Sequence, residues 1–310
     1  MPDPLDPALD RAVQHLLGIE RDRAAAEGLV ASDAALLYRG VVGNMVGAFF
    51  HNTYAPGTPD ICPVCRGPAL TGLCNTCSSH ASSYSSELAD RTVLLTYAID
   101  NRDGSEHQSA HHMRAYKGYR STPVSPQCST DLQLLIATTV EIHRPCVQSW
   151  LGAEWDSFTF VPSRERPDGS HPLAKLANRV QPLDSQKREL QKFALQPGPG
   201  SGARHKHTMT EDRFHVDPRW QHHVDGKNVL IVDDTWTTGS SAQGAAIAAR
   251  RAGAATVTIL CVDRWLRSDW PDHRNVIDSL SGPYDVLQCP VTGQVCPAAQ
   301  HFAPSRLIPH

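Results

Sequence analysis

Residues 228–241 read NVLIVDDTWTTGSS, and this stretch decides the fold class. The apolar run at 229–232 is short and bounded by polar residues, which is typical of a strand buried on both faces. Asp233 and Asp234 follow at its carboxyl end, where open α/β sheets place their ligand crevice. An alanine-rich stretch at 242–252 then predicts a helix, and TVTILCV at 256–262 predicts the next buried strand. This strand–helix–strand unit implies a parallel sheet in an α/β protein.

The turn between the strand and the helix is predicted to hold a phosphate. Hydroxyl groups and one glycine make up most of it: Thr235, Thr237, Thr238, Gly239, Ser240 and Ser241. Backbone N–H groups at a helix start, together with the helix dipole, favour an anion, and small residues allow it to come close. The two aspartates next to this turn could serve sugar hydroxyls or a metal ion. The combination suits a ribose phosphate.

Two other interpretations of the acidic pair stay open. The aspartates could only cap the following helix. They could also form a phospho-acceptor site of the response-regulator type, although that fold usually carries its acidic pair near the N-terminus.

Composition sets the broad class. The chain has 310 residues, of which 40% are hydrophobic and 20% charged, as in ordinary soluble globular proteins with up to three compact units. A net charge of −3 gives no support for wholesale nucleic-acid binding. The first residues, MPDPLDPALDRAV, lack the features of a signal peptide, and no apolar stretch approaches the roughly 18 residues of a membrane span. These features predict a cytoplasmic protein.

Four cysteines form two CxxC pairs separated by eight residues: Cys62, Cys65, Cys74 and Cys77. Two such pairs supply the four thiolates that tetrahedral Zn²⁺ needs, and so short a segment could not bury a core of its own. We therefore predict a structural Zn²⁺, with free or redox-active thiols as the alternative. Cys289, Cys296 and His301 are a weaker candidate for a second metal site, because their spacing is not that of a knuckle; the alternative is buried or incidental thiols.

Other segments complete the predicted organisation. Apolar residues at helical spacing predict helices between residues 4 and 50, whose apolar stripes fit packing on each other, on the main domain or on another subunit of a homo-oligomer. Strands are predicted at 92–99 and 155–162, and an amphipathic helix at 130–141. The adjacent His111 and His112 are interpreted as surface or loop residues and not as a metal site.

The stretch VLIVDDTWTTGSS resembles the loop of type I phosphoribosyltransferases that binds 5-phosphoribosyl 1-pyrophosphate (PRPP). The resemblance widens over residues 60–265, where a four-cysteine segment, a strand, MRAYK, a helix and FVPSR precede the acidic pair. This order resembles the ComF family, which joins an N-terminal four-cysteine zinc ribbon to a type I phosphoribosyltransferase domain. Two departures from the family pattern are the sequence at 169–173 and Trp236, which stands where a small aliphatic residue is usual.

The resemblance implies a parallel-sheet type I phosphoribosyltransferase fold. The implied organisation is a helical extension at 1–53, a zinc-ribbon module at 54–86, the phosphoribosyltransferase-like domain at 87–270 and an irregular tail at 271–310. The implied ligands are PRPP with Mg²⁺. The implied reaction transfers the phosphoribosyl group to a nucleobase or amine, or hydrolyses it, with release of pyrophosphate. A non-catalytic PRPP-binding module in DNA uptake or regulation is the alternative, followed by a structural protein with a relic fold.

The resemblance also implies roles for individual residues. Asp233 and Asp234 would bind the ribose hydroxyls or water on Mg²⁺, and the turn that follows them would bind the 5-phosphate. Ser163 and Arg164 would bind pyrophosphate, with Lys117 or Arg166 as weaker candidates. The polar segment 185–210 carries Lys187, Arg188, Lys192, Arg204 and Lys206 and is predicted to be mobile, either as a cationic lid over pyrophosphate or as a solvated loop.

Overall fold

The computed structural model describes residues 7–102, 104–163, 171–183, 187–201 and 208–303. The α-helices in these ranges are α1 Pro7–Glu27, α2 Asp33–Val42, α3 Asn75–Tyr84, α4 Gln108–Ala115, α5 Pro126–Leu151, α6 Leu173–Ala177, α7 Ser240–Arg251 and α8 Pro271–Ser279. The strands are β1 His51–Asn52, β2 Arg91–Ile99, β3 Asn101–Arg102, β4 Ser105–Glu106, β5 Ser157–Phe160, β6 Gln191–Lys192, β7 Leu195–Pro197, β8 Phe214–Val216, β9 Asn228–Trp236 and β10 Thr256–Leu266.

The central sheet confirms the predicted α/β class. Its strand order is β1-β2-β10-β9-β5-β6, and every neighbouring pair is parallel except β1 with β2. Strands β9 and β10 are buried along almost their whole length, which explains their continuous apolar runs. Strand β9 continues through the acidic pair as far as Trp236 and is therefore longer than predicted. The carboxyl ends of β9, β10 and β5 meet at one edge of the sheet.

Helices α5 and α7 pack against this sheet. Helix α5 is 26 residues long and extends well beyond the predicted 130–141, even though Pro145 lies inside it. Its apolar side chains at Leu132, Leu135 and Ile136 are completely buried. Helix α7 presents a row of buried alanines to β9 and β10.

The predicted helices of the N-terminal segment are present as α1 and α2. Ser32 caps α2, because its hydroxyl accepts the backbone N–H of Ala35 at 3.2 Å. The side chain of Arg39 is buried and donates to Glu27 at 2.7 Å and to Asp285 at 2.9 Å, which ties these helices to the C-terminal segment. None of the helices in the described ranges combines the length and apolar character needed to cross a bilayer.

Three local predictions differ from the structure. His111 and His112 lie in α4, where His112 is buried and bonded to Asp131 at 2.9 Å, so the surface or loop interpretation is wrong for His112. Residues 271–279, expected to be irregular, form α8 because Pro271 opens a short amphipathic segment.

The third difference concerns the segment predicted to be mobile. Residues 187–201 include β6, which extends the central sheet, and β7, which pairs with β8. Lys187, Arg188 and Lys192 are bonded to Glu141, Asp156 and Asn178, respectively. The buried side chains of Leu190, Phe193 and Leu195 anchor the segment, so this part of the predicted lid is packed structure. Arg204 and Lys206 lie outside the described residues.

Candidate functional site

One large cleft opens at the carboxyl edge of the sheet. Every sequence-predicted substrate-binding residue that the structure describes lines it: Lys117, Ser163, Asp233, Asp234, Thr235, Thr237, Thr238, Gly239, Ser240 and Ser241. Arg164 and Arg166 lie outside the described residues. The cleft volume of about 1990 Å³ exceeds the roughly 300–1000 Å³ of a pocket for one small ligand.

The acidic pair sits at the floor of this cleft. Asp233 and Asp234 are 7% and 8% exposed, so each carboxylate is largely buried. Oδ2 of Asp234 accepts hydrogen bonds from the Lys117 ammonium at 2.6 Å and from the Tyr116 hydroxyl. Oδ1 of Asp233 accepts the backbone N–H of Asp234 at 2.9 Å. The sequence predicted Lys117 here but missed Tyr116, which is its neighbour in the turn after α4.

Burial and neighbouring charges shift the pKa values of the two carboxyl groups in opposite directions. Burial, together with the charge of Asp234, raises the pKa of Asp233 well above its usual range. Burial also acts to raise the pKa of Asp234, but the Lys117 ammonium outweighs it and lowers that pKa. The same pairing outweighs burial at Lys117 and raises the pKa of its ammonium. Asp234 is therefore the anion of the pair, and Lys117 is its counter-charge.

A third acid, Asp263, lies behind this pair and was missed from the sequence. Its Oδ2 accepts the hydroxyl of Thr235 at 2.8 Å, while its buried Oδ1 has no hydrogen-bond partner in the described chain. Burial raises the pKa of Asp263 to about 8. The parallel register places Asp263 directly opposite Thr235, so the predicted pairing of the two strands was the signal that could have located it.

The turn after β9 has the backbone geometry that a glycine requires. Gly239 has a φ of 79° in the left-handed region and precedes the first turn of α7. A Cβ at this position would lie 2.2 Å from Cζ2 of Trp236. Trp236 is 1% exposed, so its ring forms a buried support beneath the turn. A glycine is therefore needed at position 239 because a side chain would meet the Trp236 ring. The sequence suggested only that a small residue here lets a phosphate come close.

The hydroxyls of the turn are linked to each other and to a cation. Oγ of Ser240 lies 2.9 Å from Oγ1 of Thr238, and Oγ of Ser241 accepts a hydrogen bond from the Arg213 guanidinium at 3.0 Å. Arg213 is buried and also donates to the carbonyl of Thr208 at 3.1 Å. Arg213 thus places positive charge beside the proposed phosphate site.

Arg264, at the carboxyl end of β10, fixes the backbone of the same turn. Its guanidinium donates to the carbonyls of Trp236 at 3.0 Å and Thr237 at 2.8 Å. The other side of this guanidinium packs on Gly67 of the four-cysteine segment, where an added Cβ would lie 2.6 Å from Nη2. Arg264 therefore connects the candidate phosphate site to the cysteine module, which is the four-cysteine segment at residues 54–86.

The four predicted cysteines come together as expected. The sulfur atoms of Cys62, Cys65, Cys74 and Cys77 all lie within 4.8 Å of one another. The Cys65 and Cys74 sulfurs are 3.6 Å apart, close to the edge of about 3.8 Å of a tetrahedron built on Zn–S bonds of about 2.3 Å. The Gly67 N–H points at the Cys65 sulfur at 3.4 Å, a contact that stabilises a thiolate. The donor set fits one tetrahedral Zn²⁺.

The cysteine module forms one wall of the cleft. The fully buried Arg66 donates to the carbonyl of Thr92 at 3.0 Å, and its own carbonyl accepts the Tyr97 hydroxyl at 2.7 Å. Both partners belong to β2, so the module rests on the sheet. Residues 68–71 and 73–77 of the module line the same cleft as the acidic pair. The module is thus placed to contact whatever binds beside Asp233 and Asp234.

Comparisons with known proteins identify no family. No family model matches the chain, and no curated protein matches it. A structure of the allosteric regulatory enzyme of purine biosynthesis aligns at 14% identity over 48% of this chain, with a TM-score of 0.30, and this chain spans only 30% of that enzyme. A phosphoribosyltransferase from Corynebacterium diphtheriae aligns at 20% identity over 48% of this chain and 72% of its own, with a TM-score of 0.23. Superpositions at this level fix neither a family nor an activity, and the fold class rests on the strand topology.

Proposed function

We propose that the chain is a ComF-like phosphoribosyltransferase that binds PRPP together with Mg²⁺. The observation that carries the proposal is the position of the VDDTWTTGSS stretch. Its buried acidic pair and its hydroxyl-rich turn lie side by side in one cleft, at the carboxyl ends of parallel strands. A ribose 5-phosphate needs acidic groups for its hydroxyls and an anion site for its phosphate, close enough for one molecule to reach both.

The turn would bind the 5-phosphate. The backbone N–H groups at the start of α7 supply donors, and the small residues around Gly239 let a phosphate come close. Arg213 adds a cation behind Ser241. The phosphate would thus be held by dipoles and one charge, with no need for side-chain movement.

The acidic pair would bind the ribose ring. The Lys117 ammonium neutralises Asp234. Pyrophosphate offers Lys117 a stronger anionic partner, so binding of PRPP would release the Asp234 carboxylate to the ribose hydroxyls. Ser163, which follows β5 and lines the cleft, would contact pyrophosphate together with Arg164.

Carboxylate oxygens are the ligands that Mg²⁺ prefers. Asp234 would offer them as the anion of the pair, and Asp233 would do so once the positive ion favours its charged form. Bound Mg²⁺ would share the negative charge of the departing pyrophosphate. Transfer through a ribosyl cation-like transition state needs no protein nucleophile, which agrees with a cleft whose described side chains provide charge and hydrogen bonds. A nucleobase or an amine would enter from the side of the cysteine module.

Titration calorimetry with PRPP, with and without Mg²⁺, tests the binding step. We expect Mg²⁺-dependent binding that Asp234→Asn weakens by about 1–3 kcal/mol, the usual contribution of a charged hydrogen-bonding partner. The control is Asp278→Asn, which removes an exposed carboxylate on α8 outside the cleft. Equal PRPP affinity in all three proteins would refute the assignment of the acidic pair.

Pyrophosphate release from PRPP across a panel of nucleobases and amines tests turnover. Release with one acceptor class supports the transferase. Tight PRPP binding without release from any acceptor points instead to a non-catalytic PRPP-binding module in DNA uptake or regulation.

A further inference from the structure

A second group of metal-ligating side chains lies away from the cleft. His143, Cys146, Cys289 and Cys296 each offer one ligand atom, and these four atoms all lie within 4.8 Å of one another. His143, Cys289 and Cys296 are buried, and Cys146 is partly buried. The two halves of the cluster are more than 140 residues apart in the chain, so only the fold brings them together.

Helix α5 supplies the first two ligands. His143 and Cys146 are three residues apart and therefore lie on one face of the helix. A rigid helix can present an imidazole and a thiol in this way without any loop adjustment.

The hydrogen bonding of His143 leaves one ring nitrogen aimed at the sulfurs. Its Nε2 lies 2.7 Å from the carbonyl oxygen of Val286, so Nε2 carries the proton and donates it. Nδ1 is then a lone-pair atom, and it makes no hydrogen bond within the part of the chain that the structure describes. The histidine is 1% exposed. A buried acceptor without a partner is costly, and a bound metal ion would satisfy it.

A tight loop supplies the other two ligands. The backbone N–H of Cys289 donates to the carbonyl of Gln294 at 2.7 Å, and the N–H of Gly293 donates back to Cys289 at 2.8 Å. Gly293 adopts a φ of 72°, which closes the turn. The N–H of Cys296 bonds to the carbonyl of Leu287 at 2.9 Å. These bonds hold the two cysteines next to each other, on the loop that faces α5.

We propose that His143, Cys146, Cys289 and Cys296 bind a second zinc ion, and that this ion is structural. Three thiolates and one imidazole are a donor set that selects Zn²⁺. Four protein ligands leave no open coordination position, so catalysis at this ion is excluded. Of the three residues that the sequence suggested for a second site, Cys289 and Cys296 are ligands here. His301 is exposed and is not part of the cluster.

The ion would fasten the C-terminal segment to the core. Residues 280–303 contain no α-helix or named strand, yet Tyr284, Leu287 and Ala299 are buried. The same segment holds the N-terminal helices, because the N–H of Ser32 bonds to the carbonyl of Ala299 at 2.9 Å and Arg39 bonds to Asp285. Loss of the ion should therefore loosen α1 and α2 as well as the C-terminal segment.

A disulfide between Cys146 and Cys296 is the competing arrangement. Their sulfurs are 2.9 Å apart, a distance between the roughly 2.05 Å of a disulfide bond and the roughly 3.8 Å edge of a tetrahedral zinc site. A disulfide would use two of the three thiols and leave only the Cys289 thiol to face the Nδ1 atom of His143. Mass spectrometry of the non-reduced protein separates the two arrangements, because a disulfide lowers the mass by two hydrogens and brings no metal.

Zinc counting by native mass spectrometry tests the proposal. We expect two zinc ions in the parent chain and one in Cys289→Ser. The matched control is Cys128→Ser, since Cys128 is buried in the same helix as Cys146 but belongs to neither cluster, and it should keep two ions. Cys74→Ser, in the other cluster, should also keep one ion. A Cys289→Ser protein that binds as much zinc as the parent overturns the proposal.

X-ray absorption at the zinc edge covers the case in which Cys289→Ser does not fold. The parent chain should show seven sulfur and one nitrogen ligands shared by two ions. A single ion with four sulfur ligands overturns the proposal, as does a Cys146–Cys296 disulfide. Neither measurement involves PRPP, so its outcome is independent of the proposed function.

Discussion

Replacement of Arg264 by methionine tests whether the cysteine module and the candidate phosphate site are physically connected. The Arg264 guanidinium holds the carbonyls of Trp236 and Thr237 and packs on Gly67. Methionine fills a similar volume but makes neither hydrogen bond. The change therefore removes the connection while leaving the core packed.

The magnitude follows from two opposing terms. Nη1 of Arg264 lies within hydrogen-bond distance of three carbonyls, those of Trp236, Thr237 and Trp265, which share its two N–H groups. Two N–H donors of a charged group contribute about 3–6 kcal/mol in gross terms. The offset comes from the guanidinium itself, which is costly to bury and whose Nε has no hydrogen-bond partner in the described chain. We expect Arg264→Met to lower the free energy of unfolding by about 2–4 kcal/mol and to weaken PRPP binding by tenfold or more, which is about 1.4 kcal/mol.

Urea denaturation at constant zinc and PRPP calorimetry measure the two effects. The control is Arg274→Met, because Arg274 also donates two hydrogen bonds to a backbone carbonyl, that of Ser268, but is exposed on α8. We expect a change below about 1 kcal/mol for the control, as is usual at the surface. If the two variants lose the same stability and both bind PRPP like the parent, Arg264 does not connect the two sites.

The remaining predictions concern Gly239 in the turn, the buried Asp263 and the cysteine module. Gly239→Ala should lower the free energy of unfolding by about 2–4 kcal/mol, because it adds a Cβ against Trp236 in a left-handed conformation, and a second change, Trp236→Leu, should restore part of it in a double-mutant cycle. The folded-state pKa of Asp263, about 8, exceeds its unfolded value, so the folded chain holds an extra proton between about pH 4 and 8 and loses stability as the pH rises through that window. Asp263→Asn has no such titrating group, so its free energy of unfolding relative to the parent should rise with pH by up to about 1.4 kcal/mol per unit. If urea denaturation gives the same difference between the two proteins at every pH from 5 to 9, the expectation is contradicted. Cys74→Ser should abolish hydrogen-exchange protection in residues 60–79 while β9 and β10 stay protected; protection lost throughout the sheet would show that the module supports the whole fold.

Local patterns explain why much of the fold was predictable. The apolar run of β9, the following turn and the alanine-rich α7 are consecutive in the chain, so periodicity and composition identify them. The two CxxC pairs are likewise short-range chelating units. The residues that we propose for phosphate binding could be selected for the same reason, since almost all of them belong to one segment of the chain.

Residues that act from a distance were not predictable in this way. Arg213, Arg264 and Asp263 reach the turn only because sheet order and register bring their segments beside it. Each is a charged residue that lies outside the acidic-pair motif. The packed segment at 187–201 was mistaken for a mobile loop because its composition is polar, and its short strands gain their stability from partners elsewhere in the chain.

The sequence by itself determined the α/β class, the acidic pair with its turn, and the four-cysteine cluster, because each of these is encoded by residues that are neighbours along the chain. The tertiary structure alone decided that Lys117 neutralises Asp234, that the cysteine module forms a wall of the cleft, and that His143 and Cys146 meet Cys289 and Cys296. These pairings depend on how α5, the sheet and the C-terminal segment pack together. That packing depends on shape and burial over the whole molecule, which no local pattern contains.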